Sequence, residues 1–79
     1  MITWKKMLKC IFDNHGKTST PPFCLTNERE VRRWLMTQFG VGRVTVYGWR
    51  SKDRLPPYVR QSLITMCPEV FAPVEFDNK

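Results

Sequence analysis

The sequence predicts an all-α domain: a small four-helix unit followed by an extended C-terminal arm or strand. Apolar residues recur at three- and four-residue spacing in four separate segments. Residues that cap or break helices (Thr3, Asn27, Gly40, Pro56, Pro57) stand where those segments begin or end. The chain has 79 residues, enough for one small domain and too few for two.

Residues 2–14 make the first helix. Trp4, Met7, Leu8, Ile11 and Phe12 form one stripe that walls a core, with Thr3 as the cap and Ile2 outside the stripe. Residues 14–22 read as loop, because Gly16 ends the helix and Pro21 and Pro22 impose extended geometry. Phe23 and Leu25 fold back to cover the core.

The second helix begins near Asn27, which stands in capping-box spacing with Glu30. Val31, Trp34, Leu35 and Phe39 supply its apolar stripe. Glu28 and Arg32 are four apart and can pair across one turn. Gly40 provides the positive φ that a helix end needs, and Phe39 and Val41 hold that turn against the core.

Residues 43–51 form the third helix, with Val46 and Trp49 facing inward. Its β-branched residues and Gly48 give it poor intrinsic propensity, so packing must hold it. Residues 43–47 also carry a strand pattern; the preceding turn and the one-sided Val46/Trp49 pair favour helix. Pro57 opens the fourth helix, over 57–66, which turns Val59, Leu63 and Met66 inward, with Cys67 beside them. Pro68 ends it. Pro73 and the apolar Val70, Phe71, Val74 and Phe76 make residues 68–79 an arm that packs back or crosses to a second subunit. The division is therefore 1–67 for the domain and 68–79 for the arm, with Val70, Phe71, Val74 and Phe76 as candidate dimerisation residues.

Thirteen Lys and Arg against seven Asp and Glu give a net charge of +6, which favours a polyanionic partner, nucleic acid before an anionic membrane surface. Residues 28–60 hold eight of the bases, seven of them arginine, against three acids. Arginine's rigid fork suits phosphate oxygens and guanine edges. Cys10, Cys24 and Cys67 are too few and too widely spaced for a disulfide framework, and with His15 they lack metal-site spacing. No paired acids or Cys-His arrangement points to catalysis. The expectation is a protein with no enzyme activity, cofactor, metal or small-molecule substrate, no membrane association, and a cytoplasmic location.

Residues 32–51 meet the demands of a helix-turn-helix unit. Leu35, Met36, Phe39, Val41, Val46 and Trp49 are its core and turn positions, around Gly40. Arg43, Val44, Tyr47, Gly48 and Ser51 lie on the outward face of the second helix of the pair, where side chains reach base edges in a major groove. Arg43 is placed for guanine or phosphate, and Val44 for a thymine methyl. Tyr47 is placed for the sugar-phosphate backbone or a base. Arg50, Lys52 and Arg54 suit phosphate contact, and Arg32 and Arg33, with Arg29, can clamp the flanking strand.

The string Gly40, Val46, Trp49, Arg50, then Arg54-Leu55-Pro56-Pro57, then Val59 and Leu63, resembles the lambda-repressor-like superfamily of phage Cro and YdaS-type small regulators. The resemblance covers residues 31–66. It departs from the family at Met36, where alanine is usual, and in the long connection 15–26. It implies a phage or prophage Cro-like repressor that binds a palindromic operator in double-stranded DNA as a homodimer, in the cytoplasm of a bacterial host. Two alternatives fit the same residues: a protein-interaction module of the antirepressor or toxin-neutralising type, and a small excisionase-like architectural DNA-binding protein.

Overall fold

The computed structural model describes residues 1–76 as five α-helices: α1 Trp4–Asp13, α2 Glu28–Phe39, α3 Arg43–Lys52, α4 Pro57–Met66 and α5 Pro68–Glu75. No strand occurs among the described residues, so the strand pattern at 43–47 is overridden. The helices α2 and α3 pack on each other, α4 packs on α5, and α1 lies against both α3 and α5.

Local signals set the helix ends. The Thr3 hydroxyl accepts from the Lys6 amide, and the Asn27 side chain accepts from the Glu30 amide. The capping box is offset by one residue: Glu30 reaches back to the amide and hydroxyl of Thr26, not to Asn27. Those two bonds hold the Glu30 carboxyl below its ordinary pKa. Gly40 closes α2 in the left-handed region, with φ at 62°. Pro57 occupies the first turn of α4, where its missing N–H costs nothing.

The core is continuous through all five helices. Met7, Ile11, Val31, Leu35, Val46, Val59, Leu63 and Phe71 are essentially inaccessible to solvent. Phe23 covers this core from the connection and stacks on Phe71 with ring centroids 6.1 Å apart. Residues 21–24 make a turn in that connection, and the Gly16 amide bonds the Phe23 carbonyl to seat it.

Four expectations are corrected. The segment after Pro68 is a fifth helix, not an extended arm or strand. Pro68 and Pro73 suggested a break, yet Pro68 sits in the first turn and Pro73 on the exposed side of a helix of 8 residues. Phe71 is fully buried, so it belongs to the core and cannot serve in a dimer contact. Val70 and Val74 are half-buried and Phe76 is exposed. Residues 77–79 of the expected arm lie outside the described residues. Met66 points outward, and Cys67 takes the inward place expected of it. Ile2, set outside the first stripe, is fully buried.

The burial of Ile2 follows from a clasp that joins both ends of the fold. The Ile2 amide donates to Glu75 Oε1 at 2.9 Å. Arg60 Nε donates to Glu75 Oε2 at 3.1 Å, and Arg60 Nη1 donates to the Leu55 carbonyl at 2.6 Å. The Glu75 and Arg60 side chains are only 12% and 17% exposed, so water screens this pair weakly. Burial pushes the Glu75 carboxyl up, but the Ile2 amide, Arg60 and the Met1 ammonium together outweigh it and hold the pKa below its ordinary 4.5.

Phe71→Ala is expected to cost about 3–5 kcal/mol in chemical denaturation, and Phe76→Ala about 0.5 kcal/mol or less. An equal effect of the two would contradict the burial of α5. A depressed folded-state pKa stabilises the protein above pH 4.5 and loses that contribution as pH falls through the folded value. Melting temperature should therefore drop more steeply below pH 4.5 in the parent chain than in Glu75→Gln, which lacks the titrating group.

Candidate nucleic-acid interface

The helices α2 and α3 are joined by Gly40, Val41 and Gly42. The Val41 amide bonds the Met36 carbonyl, which tightens the turn, and Val41 packs against the core. Leu35 from α2 and Val46 from α3 are buried in the core, with Met36, Phe39 and Trp49 half-buried and packed against it. Met36 is accommodated at this approach with its side chain at the edge of the core.

The C-terminal end of α3 is also tied. The Asp53 carboxylate, just past its C-terminus, accepts from the Lys5 amide at the start of α1 at 2.9 Å. Glu28 Oε1 accepts from Arg50 Nε at 2.6 Å and from Arg32 Nη1 at 2.7 Å, so one carboxylate bridges α2 and α3. Arg50 was expected to be free for phosphate, and instead it is engaged by Glu28. The Arg32–Glu28 pair matches its four-residue spacing. The Arg50 contact depends on the crossing of two helices and leaves no mark in local sequence.

With Val46 and Trp49 turned inward, the opposite side of α3 carries Val44, Tyr47, Gly48 and Ser51, with Arg43 on its flank. Val44 is 86% exposed, the most exposed of the large apolar residues. Gly48 is half-buried, and a Cβ built there would meet nothing within 4 Å. Lys52 and Arg54 are exposed beyond the end of the helix.

A hollow of about 240 Å³ opens between α2 and the flank of α3. Arg29, Arg32, Arg33 and Met36 line it from one face of α2, at i, i+3, i+4 and i+7, and Arg43, Val46 and Tyr47 from α3. The Arg32 guanidinium lies over the Tyr47 ring, 5.2 Å from its centroid. Among the described residues Arg29, Arg33, Arg43, Lys52 and Arg54 have no ion pair. Arg60 is withdrawn from this basic surface by its bonds to Glu75 and Leu55.

On the far side of α3 lies an aromatic row that the sequence reading missed in part. Tyr58, 51% exposed, packs edge-on against both Phe39 and Trp49, with centroids at 5.9 and 6.5 Å. Trp34 meets Phe39 at 6.4 Å. Trp34 and Trp49 are thus half-buried braces at the rim of the core rather than fully enclosed residues. Their signal was the shared apolar stripe; Tyr58 gave none, since it follows two prolines at a helix start.

Among the described residues no group of three His, Cys, Asp or Glu is placed to hold a metal ion. No helix is long and apolar enough to cross a membrane.

Gly40→Ala is expected to destabilise the fold by about 1–2 kcal/mol, because an L side chain strains the left-handed backbone even where space is open. Gly48→Ala should do the reverse and stabilise by about 0.5–1 kcal/mol, since it sits at ordinary helical φ in open space. Denaturant midpoints of the two variants check both signs. In comparison with known proteins the chain matches no family model, no curated protein and no solved structure.

Proposed function

We propose that the chain is a sequence-specific double-stranded DNA-binding regulator of transcription, with α2 and α3 as a helix-turn-helix and α3 as the helix that enters the major groove. The observation that carries this reading is the outward face of α3. It leaves Val44 in water beside Tyr47, Ser51 and Arg43, while unpaired arginines flank it from α2 and Lys52 and Arg54 from beyond its end. An apolar residue that exposed serves no packing purpose, and a thymine methyl is the groove feature it suits. Arginines on both sides suit the two phosphate strands that border a groove.

In this reading Arg43 reads a base edge from the first turn of α3. Val44 and Tyr47 contact the groove wall and floor, and Gly48 allows close approach. Arg33, Lys52 and Arg54 grip phosphates. Arg32 and Arg50 are held by Glu28 and orient the two helices as much as they attract DNA. A single unit of this size buries modest area on DNA. Binding as a homodimer on a palindromic operator, through the exposed end of α5 at Phe76 with Val70 and Val74, supplies the remainder. The resemblance to phage Cro-like repressors adds support for a phage or prophage regulator working in the bacterial cytoplasm.

Selection from random duplexes should yield a two-fold symmetric consensus. On that site Arg43→Ala should cost about 1–3 kcal/mol and relax preference at one base position. Arg54→Ala should weaken binding to all duplexes alike and reduce the salt slope by about one. Gly48→Ala, more stable than the parent, should bind less tightly. If Arg43→Ala and Arg54→Ala alter cognate and scrambled duplexes identically, base reading by α3 is refuted.

A further inference from the structure

We infer that the hollow between α2 and α3 is a discrete phosphate-binding site; its DNA arm rests on the reading just given, and its phosphate chemistry stands apart from it. Four arginines line this hollow: Arg29, Arg32 and Arg33 from α2 and Arg43 from the first turn of α3. Glu28 bonds only one of them, Arg32, and shares that carboxylate with Arg50. The other three have no ion pair among the described residues. The remaining walls are Met36, Val46 and Tyr47, none of which can supply counter-charge. Positive groups gathered around one volume repel each other, and an anion in their midst relieves that repulsion.

Shape and donor arrangement select phosphate among anions. The hollow holds about 240 Å³, on the order of eight water molecules at liquid density, so it has room for a phosphate group and part of what carries it. A carboxylate offers two oxygens in one plane and accepts one or two forks. Phosphate oxygens point in several directions, which matches arginines arriving from two helices. Arg32 is preset, held by Glu28 at 2.7 Å and laid over Tyr47. Gly42 gives the N-terminus of α3 no side-chain cap, so the first amides of that helix remain available near Arg43. The phosphate comes either from a DNA strand bordering the groove or from a free oligophosphate of the nucleotide type.

Pyrophosphate is the probe, titrated into the full chain at fixed ionic strength and followed by phosphorus NMR and calorimetry. Two double variants remove equal charge: Arg29→Gln with Arg33→Gln inside the hollow, and Lys52→Gln with Arg54→Gln outside it. All four residues are exposed, and circular dichroism confirms that each variant folds. The parent should bind pyrophosphate, the inner variant about tenfold or more weakly, and the outer variant within about two- to threefold of the parent. Equal losses in both variants, or no binding by the parent, overturn the site. If pyrophosphate displaces duplex DNA and the inner variant weakens duplex binding at every sequence, the strand supplies the phosphate. If pyrophosphate binds without displacing duplex, a free phosphate ligand is the occupant. Duplex binding without pyrophosphate binding overturns this site and leaves the DNA reading standing. Pyrophosphate binding without any duplex binding does the opposite.

Discussion

The burial of Val46 in the core that it shares with Leu35 is the constraint on which the candidate interface depends. The α3 sequence has little helical preference of its own: it strings together Val44, Thr45 and Val46 and carries Gly48 in its middle. Val46 is 1% exposed, and Trp49, one turn on, is half-buried at the rim. Once these two fix the inward side, helical geometry alone decides that Val44, Tyr47 and Ser51 face away from the core. Two polar ties finish the placement. Glu28 bridges Arg32 and Arg50 at one flank, and Asp53 takes the Lys5 amide at the C-terminal end. Each exposed pair contributes little energy. Their value is geometric, since they fix the rotation of a short helix about its own axis.

Local chemistry made most of the first four helices readable. Thr3, Asn27, Gly40 and Pro57 each act within one turn of their own position, so the sequence states their role directly. The inward residues Met7, Ile11, Val31, Leu35, Val46, Val59 and Leu63 follow the helical period for the same reason. What failed to be legible depended on distant partners. Phe71 lies in a segment with two prolines, and the helix there is held by distant partners: Phe23, from a loop 48 residues earlier, stacks on Phe71, and α1 and α4 pack against it. Ile2 falls outside any stripe because Glu75 draws it in. Met66 turns outward while Cys67 faces inward, where α5 starts at Pro68 directly after the α4 cap.

The same division applies to the candidate site. The exposure of Arg43, Val44 and Tyr47 followed from placing Val46 and Trp49 inward, and needed only the α-helical repeat. The engagement of Arg50 did not, because Glu28 lies 22 residues away on another helix. Nor did the hollow, whose existence requires the four-spaced arginines of α2 and the first turn of α3 to face one another. Basic residues were visible in the sequence as a count; which of them stay unpaired is a property of the packed pair of helices.

That distinction sharpens the meaning of the net charge. The three acids among residues 28–60 are not spread evenly over the basic surface. Glu30 turns to Thr26 at the start of α2, and Asp53 turns to the Lys5 amide on α1. Neither lines the hollow, and Glu28 touches a single arginine there. Arg50 and Arg60 are drawn away from it by Glu28 and Glu75, while Arg32, also held by Glu28, stays in its wall. Sorting the charges by the work each performs therefore leaves a concentrated positive field between α2 and α3, around the volume lined by Arg29, Arg32, Arg33 and Arg43. A basic surface that merely kept the chain soluble would need no such sorting. Its acids could sit anywhere, and its arginines would have no reason to converge on one volume beside the most exposed apolar residue of the fold.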